Sequence, residues 1–245
     1  MDSLKNWKPA DWETGFESRQ SAESLMPYKE YTGLIEKSDN DQRQYRLIRL
    51  PNNLVALCVQ DAEAKEAAAS LSVNVGSNAN PAEFQGLAHF LEHMLFLGTE
   101  NVGNTEMLKG AAEKLGLNLR EELIKFYQKY YSADIMRLTV VGNHSLDVLT
   151  EWVTSKFSRI ASKGNTKPTF EGHPIDKAQL GKLIHFKTVC EKHLIKLQFS
   201  LPELKSIYRE KPLAYLNTLL DNTEQWSIFS VLRKNGWATA INGGS

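Results

Sequence analysis

Gly86-Leu87-Ala88-His89-Phe90-Leu91-Glu92-His93-Met94-Leu95-Phe96-Leu97-Gly98-Thr99 is the stretch on which the reading of this chain turns. The run from about Leu87 to Leu97 predicts a helix stopped near Gly98. Positions four apart on a helix share a face, so His89 and His93 can turn both imidazoles to one metal ion. Glu92 shares their side of the helix without having to be a ligand. A carboxylate there can accept a proton from a water that zinc acidifies, and pass it to a leaving amine. Phe90, Leu91, Leu95, Phe96 and Leu97 imply that the helix is buried. Buried imidazoles and carboxylates need partners, because unpaired buried polar groups are costly. Core histidines bonded to backbone carbonyls are the competing account.

Working outward, Tyr45 to Leu50 alternates in polarity, Pro51-Asn52-Asn53 is turn chemistry, and Leu54 to Val59 returns as a strand. Leu71, Val73 and Val75 alternate with Ser70, Ser72 and Asn74, predicting a strand with one buried face that ends at Gly76. Residues 1–30 are polar without clear period and read as an irregular or extended lead-in. On the other side, Leu123, Ile124, Tyr127 and Tyr131 recur at helical spacing within Leu119 to Tyr131. Leu138 to Val141 is a short strand closed by Gly142. Ser145 to Ile160 is an amphipathic helix with Leu149, Trp152, Val153 and Phe157 on one face and Asp147 in its first turn. Residues 163–174, with Gly164, Pro168, Gly172 and Pro174, read as a linker. Strands are expected near Leu183–Thr188 and Leu194–Ser200, and helices near Lys211–Leu220 and Trp226–Lys234. The early hairpin and the irregular alternation predict an α+β fold, a mostly antiparallel sheet packed with helices, rather than a doubly wound parallel one.

Composition narrows the function classes. Twenty-nine basic and 29 acidic residues cancel, so no long-range field favours nucleic acid or an anionic membrane. No apolar run approaches a membrane span, and Met1 to Trp12 lacks a charged-then-apolar leader pattern. Cys58 and Cys190 each lie in an apolar run and read as buried, reduced thiols. A cytoplasmic location fits these features.

The Gly86–Thr99 string closely resembles the insulysin branch of the pitrilysin family, zinc metallopeptidases with an inverted His-x-x-Glu-His motif. The resemblance runs through Tyr45 to Pro81 and through Gly116 to Ser162, around Arg120-Glu121-Glu122-Leu123 and Tyr130-Tyr131-Ser132. It continues in Phe170 to Gly244, which is similar to the start of the family's second domain. It implies a zinc-dependent metalloendopeptidase that degrades or processes peptides, with Zn2+ on His89, His93 and a distant glutamate, and Glu92 as catalytic base. It divides the chain into an N-terminal metallopeptidase domain at 31–162, the linker at 163–174, and the opening of a second, inactive-type domain at 175–245.

Two departures qualify that expectation. The family carries a long segment after the motif helix, whose second helix supplies the glutamate ligand. Here Gly98-Thr99-Glu100-Asn101 passes straight to Val102-Gly103-Asn104-Thr105-Glu106, which is similar to a region well downstream. A segment is therefore expected to be missing near Asn101. The family also has four related domains, and this chain is expected to stop within the second. A complementary C-terminal half or a homo-oligomer is the partner this implies, beside peptide substrates. A smaller departure is Asp221-Asn222-Thr223-Glu224-Gln225, where the family has a glycine-rich loop. A catalytic zinc takes three protein ligands plus water. Glu106 and Glu113 beyond the join and Glu171 in the linker are the carboxylates to consider. His144, His173, His185 and His193 read as cap-region, loop and second-domain residues. The alternative function is a non-catalytic paralogue or scaffold of the same fold, against which the intact motif speaks.

Overall fold

The computed structural model describes residues 14–96, 98–99, 102–103, 119–170, 175, 177–187, 191, 193–201, 204, 207 and 210–243. The chain divides into two compact units, Met1–Glu171 and Gly172–Ser245.

The first unit is an α+β layer built on one six-stranded sheet. Its strands are β1 (Phe16–Gln20), β2 (Pro27–Tyr31), β3 (Gln44–Arg49), β4 (Val55–Gln60), β5 (Ala68–Val73) and β8 (Met136–Gly142), in the order β1-β2-β3-β4-β8-β5. Every pairing is antiparallel except β4 with β8. A two-stranded ribbon, β6 (Gly98–Thr99) and β7 (Val102–Gly103), pairs Thr99 with Val102.

The β3–β4 hairpin forms where the sequence places it. Asn53 takes the left-handed conformation at φ 67°, and the Leu54 N–H donates to Asn52 Oδ1, the local bonding that makes asparagine a turn residue. The Asn52 amide also donates to the Phe157 and Ile160 carbonyls, both at 2.9 Å. β4 buries Val55, Ala56, Cys58 and Val59, as a central strand covered on both faces must. In β8, Met136, Leu138 and Val140 point inward at strict alternation. These residues join Ile48, Leu50 and Leu54 in the main core.

Among the described residues of this unit are the α-helices α1 (Leu87–Met94), α2 (Leu119–Tyr130) and α3 (Leu146–Phe157). Ser145 caps α3 by accepting from the Val148 N–H. The buried face of α3 is Leu149, Thr150, Val153 and Thr154. Trp152, expected on that face, is exposed and packs against His144 with the rings tilted, at 4.7 Å between ring centroids. Threonine can replace it in the core because Thr154 Oγ1 donates to the Thr150 carbonyl at 2.9 Å, which satisfies the hydroxyl inside the helix.

Three expectations need correction. Residues 1–30 are not all irregular, since Phe16–Gln20 and Pro27–Tyr31 form a paired hairpin on the edge of the sheet. Their charged and polar side chains, which suit an edge, print no two-residue alternation. β5 exists, but its face is not buried; every residue except Val73 is exposed. In the second unit, the described parts of the two expected strands, 183–187 and 193–200, carry no strand and are exposed throughout. Apolar alternation gives a strand only where a neighbour supplies the ladder hydrogen bonds and a surface to cover. Among its described residues the second unit has the α-helices α4 (Pro212–Leu220) and α5 (Ile228–Lys234), with no buried residue in either. No helix among the described residues is long and apolar enough to cross a membrane.

Candidate metal centre

The motif helix α1 starts from Gly86, whose φ of 88° lies in the left-handed region where only glycine sits without cost. The Ala88 N–H donates to Asn80 Oδ1 at 2.9 Å, giving the open first turn an acceptor from the preceding loop. One stripe of α1, Leu87 and Leu91, packs on Leu119, Leu123 and Phe126 of α2. The polar groups are thereby turned outward.

On that outer side His89 Nε2 and His93 Nε2 stand 3.0 Å apart. A Glu92 carboxylate oxygen lies 4.0 Å from His93 Nε2. One ligand atom from each of the three falls within 4.8 Å of the others. Two imidazole nitrogens bound at ~2.0–2.1 Å to one tetrahedral zinc lie ~3.3 Å apart, so the histidine pair fits such an ion with little adjustment. This is the one such group of metal-ligating side chains among the described residues.

The burial expected of the motif was wrong: His89, Glu92 and His93 are all exposed, and so are Leu95 and Phe96. The helix also ends at Met94 rather than Leu97. Its apolar residues outnumber what one neighbouring helix can cover. Burial therefore does not force the two imidazoles together; helical spacing does.

Among the described residues, none of the other sequence candidates joins the cluster. His144 packs against Trp152. His185 and His193 are exposed in the second unit, outside any strand. Glu106, Glu113, Glu171 and His173 lie outside the described residues.

Tyr131 was read as a helix-face residue and as part of the resemblance, not as part of the site, yet it packs against both the sheet core and the α1–α2 cluster. Burial, then the negative charge of Glu92 and then Tyr127, push its phenol above the usual value. Its ring stacks on Tyr127 at 4.9 Å. The adjacent pair Tyr130-Tyr131 at the helix end was the available signal, but helical spacing alone cannot say which of the two faces the motif.

The family described as the peptidase M16 inactive domain matches residues 118–245, just over half of the chain and beyond the motif helix. The A-factor-processing enzyme of Saccharomyces cerevisiae is 26% identical over 307 aligned positions, covering 85% of this chain and 30% of the yeast protein. The insulin-degrading enzyme of Homo sapiens is 24% identical over 330 positions, covering 94% and 32%. The chain thus spans about a third of the length of these relatives. The crystal structure of pitrilysin superposes with a TM-score of 0.57 at 20% identity, over 93% of this chain and 34% of that one, a likeness of fold. The chain belongs to the M16 peptidases, as an insulysin- and pitrilysin-like member.

Proposed function

We propose that this chain is a zinc-dependent metalloendopeptidase domain acting on peptides, with His89 and His93 holding the metal and Glu92 as the catalytic base. The observation that carries the reading is the 3.0 Å convergence of the two Nε2 atoms, with the Glu92 carboxylate beside them on the solvent side. When bound, zinc supplies Lewis acidity and lowers the pKa of water towards ~7. Glu92 takes the proton of the water that attacks the peptide carbonyl. It returns that proton to the nitrogen of the departing amine as the C–N bond breaks. Exposure of all three side chains leaves room for an extended peptide.

Turnover needs a third protein ligand. We assign it to a segment lacking between Asn101 and Val102. The alignments support this reading. They run over 307 and 330 positions, more than the 245 residues of the whole chain, so they pass over positions that only the relatives fill. The names of those relatives, an A-factor-processing enzyme and an insulin-degrading enzyme, support peptides as the substrate class.

The test separates binding from turnover. Zinc should be retained weakly by the wild type and by Glu92→Gln, and lost from His89→Ala and His93→Ala, as read by elemental analysis after removal of surface metal. Equal zinc in wild type and His89→Ala overturns the assignment. Cleavage of a fluorogenic peptide should appear once a glutamate-bearing segment is inserted at the join. It should then fall by ~10²–10⁴-fold in Glu92→Gln and stop with a chelator. Cleavage that survives both the substitution and the chelator arises elsewhere.

A further inference from the structure

The two edges of the main sheet are built differently. β1, at one end, carries Glu17 and Arg19, whose side chains pair with each other at 2.8 Å. Charges of this kind blunt an edge against adding further strands. β5, at the other end, is hydrogen-bonded to β8 alone among the described strands. It reads Ala68-Ala69-Ser70-Leu71-Ser72-Val73, without a charge, a proline or a glycine. Five of its six residues are exposed, Leu71 among them at 40%. The strand itself carries none of the residues that usually protect an edge.

We infer that the edge of β5 facing away from β8 is a self-association surface, pairing antiparallel with β5 of a second copy to extend the sheet across a two-fold axis. The sequence is self-complementary in that arrangement. Residues 69, 71 and 73 share one face of the strand and residues 70 and 72 the other. A pairing centred on Leu71 sets Leu71 against its own copy, Ala69 against Val73, and Ser70 against Ser72. Apolar residues thus meet apolar ones on one face, and hydroxyls meet hydroxyls on the other, the cross-strand pairs that stabilise a sheet. The flanking charges cause no conflict, because the same register brings Glu66 opposite Gly76 and Lys65 opposite Ser77. The chain's 29 basic and 29 acidic residues cancel, so two copies approach without net repulsion. An isologous contact of this kind closes on itself and yields a dimer rather than a filament. Six-residue strands bury less than the ~1,200 Å² at which specific interfaces become stable, so the dimer should dissociate on dilution.

Charge reversal at the two-fold position tests this in the full chain. Leu71 is exposed, so Leu71→Lys and Leu71→Glu leave the fold intact, as circular dichroism should verify. Each variant places like charges directly opposite one another, which is unfavourable. Sedimentation equilibrium should show a wild-type dimer at concentrations on the order of 100 µM. Each single variant should dimerise about tenfold or more weakly, and an equimolar mixture of the two should regain the dimer. A monomeric wild type at that concentration, variants that self-associate like wild type, or a mixture that stays monomeric each overturns the inference.

Discussion

Asp134 shows how one side chain can fasten several segments. Its oxygens accept from Ser132 Oγ at 2.5 Å, Ser162 Oγ at 2.7 Å and Asn53 Nδ2 at 3.2 Å. They also accept from the backbone N–H groups of Lys163, Gly164 and Asn165. Burial acts to raise its pKa, but the hydrogen bonds from Ser132, Ser162, Asn53 and Lys163 outweigh it and hold the carboxyl well below the usual range. A carboxylate depressed in the folded state stabilises the protein above its unfolded pKa of ~3.9, and that contribution is lost as pH falls below it. Asp134→Ala strands several donors at once and should cost on the order of 2–4 kcal/mol in urea unfolding. The stability gap between wild type and Asp134→Asn should narrow as pH drops from about 5 towards 2; a gap independent of pH would remove Asp134 from this role. At this scale the sequence was legible for His89, Glu92 and His93, because helical geometry alone brings those positions together. It was silent on Tyr131, whose place depends on a packing of α1 against α2 that no local pattern encodes.

Among the elements, α1 matters most for the site, and its start is its weak point. Gly86 has open space where a Cβ would go, so a substitution there is penalised by backbone conformation alone. Gly86→Ala should therefore cost roughly 1–2 kcal/mol. It should lower the melting temperature and weaken zinc retention, since α1 must be formed to pair the histidines; unchanged zinc retention would show that the pair does not need this helix start. Hairpin β3–β4, strand β8 and helices α2 to α5 were readable because each carries its own period and its own stop signal. The β1–β2 hairpin was not, because an edge pair buries too little to print an alternation; Tyr28 is its one buried residue. In α3 the face was misplaced by preferring Trp152 to Thr150 and Thr154, an error of treating hydroxyls as solvent-facing when the helix's own carbonyls can satisfy them.

The two units of the molecule differ in how their apolar residues are covered. In the first, Ile48, Leu54, Leu138, Leu149 and Val153 are almost wholly buried. In the second, Ile184, Phe186, Ile195, Leu197, Phe199 and Trp237 are all exposed. Backbone amides of β3, β4 and β8 should therefore exchange slowly with deuterium, near the global unfolding limit, while those of 183–187 and 193–200 exchange within seconds. Comparable protection in both sets would show that the second unit has a core of its own. The strand order carries a further consequence, for the chain's synthesis. β8 lies between β4 and β5 yet is the last of the six to be made. At ~5–20 residues per second, a nascent chain holds the β1–β4 meander and a detached β5 for several seconds before residue 142 emerges. Throughout that interval the inner edge of β4, Val55-Ala56-Leu57-Cys58-Val59, stands open on the ribosome. Strand β4 is thus kept waiting for its partner by the same crossover that carries the metal motif.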